Sequence, residues 1–102
     1  MDDFDIDGLD EVIHGRVRLG VMAWLVGHGE VDFNDLKGRL KATDGNLSVH
    51  LRKLEEAGYV AIAKSFADRK SLTRVRLTAA GREAFIAYLA AMERLVAEAR
   101  GE

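Results

Sequence analysis

One face of a predicted helix in the middle of the chain groups amide, basic and small side chains. The segment is TDGNLSVHLRKLEEAGYV, residues 43–60. Its apolar residues recur at the i, i+4 and i+7 spacing of a buried helical stripe and are Leu47, Leu51 and Leu54. The opposite face presents Gly45, Asn46, Ser48, Val49, Arg52 and Lys53. A helix face that serves only solubility more often carries a regular pattern of Glu and Lys.

These side chains have the chemistry that reads double-stranded DNA. The amide of Asn46 can pair bidentately with adenine, the guanidinium of Arg52 can pair with guanine or hold a phosphate, and Val49 can contact a thymine methyl. Gly45 leaves room for a phosphate at the helix N-terminus, where backbone N–H groups attract an anion. Ser48 can donate to a phosphate or a base. The pattern alone leaves open the alternative of an ordinary exposed helix face.

The basic charge of the chain is concentrated around this helix. The whole chain has a net charge of −2, but residues 36–76 carry ten basic and four acidic side chains, a local charge of +6. Residues 1–35 carry a charge of −7, and residues 77–102 a charge of −1. A local basic field can steer a polyanion to an acidic chain. An uneven surface charge without any partner is the alternative.

Two further predicted helices position this polar face. The first spans about Leu9 to Val26, with a break near His14–Gly15, where glycine interrupts the apolar pattern. The second spans about Phe33 to Lys41 and has Asp32 as its N-cap. Thr43 caps the third helix and completes its predicted DNA-binding set. Two short helices with a tight connection predict a helix-turn-helix over about residues 33–58.

A predicted β-hairpin follows, at about residues 59–77. The run YVAIAKSF alternates, with Val60, Ile62 and Phe66 on one face, and in LTRVRLT the residues predicted to point inward are Thr73, Val75 and Leu77. The polar turn between the strands carries Arg69 and Lys70, and Arg74 lies on the outward face. These three basic residues predict phosphate contacts from a hairpin beside the DNA-reading helix. Simple solvation of a charged turn is the alternative.

A last predicted helix, at about residues 78–100, has a wider apolar stripe than a domain this small can cover. A wide unpaired stripe indicates an interface, and the predicted dimer contacts are Phe85, Tyr88, Leu89, Met92, Leu95 and Val96. The alternative is a stripe that lies entirely in the chain's own core. A small-molecule effector near Trp24, Tyr88 and Met92 at the dimer seam is a further alternative to simple aromatic packing.

Composition excludes several other classes of function. The chain has no cysteine, so disulfides and thiolate metal sites are excluded. None of the three histidines, His14, His28 and His50, has another histidine at i+4, so we expect no metal site and no cofactor. No catalytic motif is present, which indicates that the protein is not an enzyme. No apolar run approaches a membrane span, and the acidic N-terminus is unlike a secretory signal, so we expect a cytoplasmic protein.

The order helix, helix, turn, helix, hairpin, helix is that of a winged helix-turn-helix. Over about His14 to Gly81 the chain also resembles the small MarR/ArsR-like winged-helix transcriptional regulators of bacteria and archaea. The resemblance lies in HGRVRLGVMAWL, DFNDLKGRL, GNLSVHLRKLEEAGYV, DRK and LTAAG. The acidic leader before Leu9 departs from the family pattern.

The length and the order of the elements predict a single α+β, mainly α domain over residues 1–102 with a winged helix-turn-helix, and the wide apolar stripe of the last helix predicts a long C-terminal dimerisation helix. The resemblance implies a homodimer that binds double-stranded DNA sequence-specifically and regulates transcription, and the symmetry of such a dimer predicts a pseudo-palindromic operator. The third helix is then the recognition helix, and the hairpin is the wing. A winged-helix module that binds an acidic partner protein is the alternative.

Overall fold

The computed structural model describes residues 5–102, so Asp2 and Asp3 of the acidic leader lie outside the described part. The architecture is mainly helical and confirms the predicted winged helix fold. The elements in chain order are a single 3₁₀ turn (Ile6–Gly8), α1 (Arg16–His28), β1 (Val31–Asp32), α2 (Phe33–Leu40), α3 (Asp44–Glu56), β2 (Val60–Ala67), β3 (Lys70–Leu77) and α4 (Ala79–Arg100). Among residues 5–102, no helix is long and apolar enough to cross a membrane.

The first helix is shorter than its apolar pattern predicts. It begins at Arg16, because Gly15 has a φ of +154°, a conformation that other residues rarely adopt. The preceding residues form a turn around Asp10, whose carboxylate accepts from the N–H of Val12 at 2.8 Å. Ile13 is nevertheless fully buried. The apolar residues at 9–13 therefore belong to a packed turn, and the predicted start at Leu9 is wrong.

Side-chain caps begin the other helices where the sequence predicts them. Asp32 accepts from the N–H of Asn34 at 2.8 Å, and Thr43 accepts from the N–H of Asn46 at 3.1 Å. Each bond satisfies a backbone donor that has no partner inside its helix. The connection between α2 and α3 is only three residues long, so the helix-turn-helix is confirmed.

The sheet has three antiparallel strands in the order β1-β3-β2. Residues Asp68 and Arg69 form the two-residue turn between β2 and β3, and both have positive φ, as in type I′ hairpins. Lys70 is therefore the first residue of β3, paired with Ala67. Strand β1 was not predicted. Val31 and Asp32 directly precede α2, with Asp32 as its N-cap, and their strand pairing depends on β3, which is distant in the chain.

The core lies between α1, α3, the base of the sheet and the first half of α4. The leucine stripe of α3 is buried, with Leu47 and Leu54 fully so. At Gly81, an added Cβ would lie 2.1 Å from the carbonyl oxygen of Tyr59, so only glycine permits α4 to start this close to β2. Phe66 lies on the predicted face of Val60 and Ile62, but it is not buried there. The ring is 72% exposed, because the distal half of the hairpin extends beyond the residues that cover Val60.

Candidate nucleic-acid interface

The polar face of α3 is free of the protein's own core. Its leucines are at most 2% exposed, whereas every predicted DNA-binding residue on the helix is exposed: Gly45, Asn46, Ser48, Val49, Arg52 and Lys53. Val49 is a large apolar residue at 55% exposure. The helix is therefore anchored by one face and presents the other as a mixed polar and apolar surface to whatever binds there.

Gly45 has no structural reason to be glycine. Nothing lies within 4 Å of the position that a Cβ would occupy, and the residue does not have a positive φ. Within a helix, alanine stabilises the fold by about 0.5–1 kcal/mol relative to glycine. The space beside Gly45 is therefore open at the α3 N-terminus, where backbone N–H groups favour an anion.

An ion pair joins the two helices of the motif. The ammonium of Lys37 on α2 lies 2.6 Å from a carboxylate oxygen of Asp44, the first residue of α3. Thr43, the N-cap, holds the same end of α3 through its hydroxyl. The structure thus places Thr43 at the expected end of the helix. Its hydroxyl already serves the cap, and Lys37 pairs with the acidic group at the α3 N-terminus.

The third histidine, His50, lies on the flank of α3 that faces α1. Its Nδ1 is 2.8 Å from Nη1 of Arg18. Because an arginine is only a donor, Nδ1 accepts this bond, and the ring proton resides on Nε2. Burial, followed by the charges of Arg18 and Lys53, lowers the pKa of His50 below its ordinary value of 6.5.

The hairpin places its cations on different sides. Side chains alternate along a strand, and Lys64 and its cross-strand partner Thr73 face a cleft that α3 lines with Ser48 and Arg52. Arg74, the next residue of β3, therefore points to the opposite face of the sheet. Arg69 lies in the turn itself.

The cleft between α3 and the hairpin combines both charges. Arg52 and Lys64 supply cations from its two sides, and Glu55 and Asp44 supply carboxylates. The pattern suits hydrogen-bonding readout at α3 together with phosphate contacts from the hairpin.

The same elements match a known family. Residues 17–96 match the model of the winged helix DNA-binding domain, which covers the helix-turn-helix, the hairpin and most of α4. The chain belongs to the winged helix DNA-binding domain family. The recognition helix is therefore α3, and the wing is the β2–β3 hairpin.

Individual relatives agree with this assignment. An uncharacterized protein of Methanocaldococcus jannaschii is 40% identical over 79 residues, which are 78% of this chain and 86% of the relative. A transcriptional regulator homologue of Pyrococcus horikoshii OT3 has a TM-score of 0.80 and 32% identity, covering 85% of this chain and 86% of its own. NadR, solved in complex with 4-hydroxyphenylacetate, has a TM-score of 0.66 and 25% identity, covering 93% of this chain and 64% of NadR. The resemblance to winged-helix transcriptional regulators is confirmed, and this winged helix protein is a DNA-binding regulator.

Two cations near the recognition helix were missing from the sequence prediction. Lys64 had a readable signal, because strand alternation places it on the face of Val60 and Ile62. Arg18 had none, because its partner His50 is 32 residues away in the chain. Arg18 also donates to the carbonyl of Val12 at 2.5 Å, so it ties the N-terminal turn to the recognition helix.

The predicted dimer residues on α4 separate into two groups. Phe85 and Tyr88 are only 4% and 1% exposed, because they pack in the protein's own core. The hydroxyl of Tyr88 also lies 2.7 Å from Nδ1 of His14, and burial raises its pKa. Leu89 and Val96 are exposed, while Met92 and Leu95 are half-buried. The core position of Phe85 and Tyr88 corrects their place in the predicted set, since a partner cannot cover what the chain already covers.

The three residues of the suggested effector pocket have different surroundings. The Trp24 ring stacks on His28 at 3.6 Å between centroids, and the Arg39 guanidinium lies over it at 4.5 Å. The indole Nε1 of Trp24 is buried without a hydrogen-bond partner among the described residues. Tyr88 contacts His14 instead. Trp24 is thus positioned mainly by α1 and α2.

Proposed function

We propose that this winged helix protein binds a pseudo-palindromic double-stranded DNA operator as a homodimer and thereby regulates transcription. The observation that carries the proposal is the recognition helix, whose leucine face is buried while its polar face is wholly exposed. Asn46 and Arg52 supply hydrogen-bonding groups for base edges, and Arg69 and Lys70 supply charge for phosphates.

The test separates base reading from backbone contact. Fluorescence anisotropy is measured across a salt series with two duplexes, one that the protein enriches from a random pool and its scrambled version. Asn46→Ala is expected to cost about 1–3 kcal/mol on the enriched duplex and little on the scrambled one. Arg69→Ala and Lys70→Ala are expected to weaken both duplexes alike and to reduce the salt slope by about 0.9 per lost phosphate contact.

Each alternative outcome has a definite reading. Equal weakening of both duplexes by Asn46→Ala would make Asn46 a backbone contact, with Ser48, Val49 and Arg52 the next candidates for base reading. If the wild-type protein enriches no duplex and binds none in a salt-sensitive way, the DNA proposal fails. An acidic protein partner for the basic face would then replace it.

The exposed side of α4 supports the dimer part of the proposal. Residues at alternating spacings of four and three share this side, the a/d pattern of a coiled-coil seam, and they are Arg82, Ile86, Leu89, Glu93 and Val96. Ile86 is 59% and Leu89 42% exposed in the single chain. An apolar pair with this exposure is stabilised by pairing with a second copy.

The charges favour an antiparallel arrangement of the two α4 helices about a two-fold axis. When Ile86 faces the partner's Leu89, the a/d spacing brings Arg82 opposite the partner's Glu93, and the symmetry repeats both contacts. A parallel arrangement would instead place like charges together. Such a dimer presents two recognition helices, and we expect half-sites about 34–36 Å apart or at a multiple of that distance.

The dimer is tested with a charge exchange and light scattering. Glu93→Arg should lower the dimer fraction, because it places two arginines together, and the double change Arg82→Glu with Glu93→Arg should restore it. Glu98→Arg is the matched control, because residue 98 lies on the side of α4 opposite the seam residues Leu89 and Val96. A wild-type mass equal to the 11.3 kDa monomer at micromolar concentration would contradict the proposal.

NadR's bound 4-hydroxyphenylacetate supports one effector experiment on this protein. We propose an aromatic carboxylate as the first class to test in the region of Trp24. Trp24 is the only tryptophan, so its fluorescence reports binding near α1. A saturable change that is accompanied by weaker DNA binding would support an effector, whereas unchanged fluorescence and unchanged DNA affinity would oppose it.

A further inference from the structure

A phenylalanine on the wing is exposed without a structural role. Phe66 is 72% exposed, the highest value among the large apolar residues of the described part of the chain. Its cross-strand partner is Ser71, which is too small to cover the ring. The hairpin register is already fixed by the two-residue turn and by eight paired residues on each strand. The fold would therefore accept a polar residue at this position.

The ring lies on the side of the wing that faces the proposed DNA. Phe66 is two residues from Lys64, so alternation places both side chains on one face of the hairpin. Lys64 and its cross-strand partner Thr73 line the cleft beside the recognition helix. Beyond Phe66, the tip adds the cation of Arg69 and one carboxylate, Asp68.

The surroundings select nucleic acid as the occupant. An exposed apolar side chain between cations matches the minor groove, where phosphates line the walls and sugars and base edges form the floor. A hairpin beside a helix in the major groove reaches the adjacent minor groove. An apolar protein patch would need neighbouring apolar residues, but the two nearest residues on this face are Lys64 and Ser71.

We propose that Phe66 is an apolar wedge, which enters the minor groove next to each half-site and partly unstacks one base step. The inference rests on the proposed function and adds a residue that deforms DNA. Inserted apolar side chains bend DNA toward the major groove by roughly 20–90°. Flexible TA and CA/TG steps deform most easily. The wedge therefore selects such a step at a position where the protein makes no base-specific hydrogen bond.

The test compares three wing variants on one probe, the 30-base-pair duplex that the wild-type protein enriches from a random pool at roughly nanomolar affinity. Phe66→Ala removes the wedge, and Phe66→Leu keeps an apolar side chain. Leu72→Ala is the matched control, because residue 72 is an apolar position on the opposite face of the same hairpin. End-to-end energy transfer reports the bend, and 2-aminopurine at the predicted step reports unstacking.

Phe66→Ala should abolish the 2-aminopurine signal, reduce the bend and weaken binding about tenfold for each half-site, the scale of losing one aromatic contact with a base in each protomer. Phe66→Leu should retain most of the bend and most of the 2-aminopurine signal, and Leu72→Ala should retain both in full. Because Phe66 is exposed, Phe66→Ala should leave the thermal midpoint unchanged.

Three results would overturn the wedge. Wild-type bend, affinity and 2-aminopurine signal in Phe66→Ala would overturn it while leaving the proposed function intact. Loss of the dimer in Phe66→Ala would assign the ring to a protein contact instead. If the wild-type protein enriches no duplex, the proposed function and the wedge fail together. This failure is seen in the wild-type protein itself, whereas failure of the wedge alone is seen only when the Phe66 variants are compared with it.

Discussion

Arg18 donates from Nη1 to Nδ1 of His50 across 2.8 Å and thereby joins the first helix to the recognition helix. The same guanidinium donates from Nε to the carbonyl of Val12 at 2.5 Å and from Nη2 to that of Glu11 at 3.4 Å. One side chain thus fixes the N-terminal turn, α1 and α3 relative to one another. Because His50 accepts only when Nδ1 is unprotonated, this connection depends on pH.

Acid is expected to weaken the contact between Arg18 and His50. In the folded state, burial, followed by the charges of Arg18 and Lys53, lowers the pKa of His50 below its ordinary value of 6.5. The unfolded chain therefore binds more protons in this range, and the stabilisation is complete above pH 6.5 and lost as the pH falls through the lowered pKa. Urea midpoints at pH 7.5 and pH 5.5 measure the loss.

The matched variant for this contact is His50→Gln, whose amide oxygen can accept from Arg18 without titrating. Its midpoint should fall less between the two pH values than that of the wild-type protein. Carboxylates common to both proteins contribute equally and cancel in the comparison. An equal fall in both proteins would contradict a role for His50 in the acid sensitivity.

Tyr59 is expected to anchor the N-terminal turn. Its hydroxyl donates to the Asp10 carboxylate at 2.5 Å, and this bond, with burial and the Asp10 charge, raises the pKa of Tyr59 to about 12. Tyr59→Phe should lower the free energy of unfolding by about 1 kcal/mol, since the contact is partly exposed. Guanidinium unfolding at pH 7 measures this, and an unchanged midpoint would show that the bond adds nothing.

Alkali should remove the same stabilisation. A raised pKa means that the stabilisation is complete below pH 10 and lost as the pH rises from 10 through about 12. Absorbance at 295 nm follows tyrosinate formation from the two tyrosines of the chain. Tyr59→Phe should remove the later part of this titration, and a late component that persists in the variant would belong to Tyr88.

Two glycines with opposite surroundings are expected to respond oppositely to alanine. At Gly81 the new Cβ would lie 2.1 Å from the Tyr59 carbonyl oxygen, so the backbone must shift, at a cost of about 3 kcal/mol. At Gly27 nothing lies within 4 Å, and Gly27→Ala should stabilise α1 by about 0.5 kcal/mol. Thermal unfolding compares the two, and similar midpoints would refute the close approach of α4 to β2.

Gly45→Ala is expected to separate folding from DNA binding. The space around residue 45 is empty, so alanine should leave the stability unchanged or raise it by about 0.5 kcal/mol. The added methyl would meet a phosphate at the α3 N-terminus, so binding to the enriched duplex should weaken. Gly27→Ala is the control, with the same residue change far from the recognition helix. If Gly45→Ala binds the enriched duplex with full affinity, no phosphate lies close to residue 45 and the prediction is contradicted.

Local features of the fold follow from residues that are near one another in the chain. The caps at Asp32 and Thr43, the leucine stripe of α3 and the break at Gly15 are each set within about one helical turn. Such features are readable because the hydrogen bond or the backbone conformation needs only the local residues. The recognition helix and the wing were therefore predictable, as was the exposed polar face between them.

The tertiary structure alone decided which surfaces are covered. Apolar periodicity places Phe85 and Leu89 on similar faces of α4, yet the core covers Phe85 and leaves Leu89 exposed. Alternation assigns Phe66 to the face of Val60, but Phe66 lies in the distal half of the hairpin, which extends beyond the core residues that bury Val60. Burial depends on which distant segments arrive at a face, because the hydrophobic effect is not directional and any apolar partner satisfies it. The sequence by itself therefore determined the helix-turn-helix, the hairpin, the last helix and their faces, and only the packing of distant segments decided the pairing of β1 and which of those faces remain uncovered.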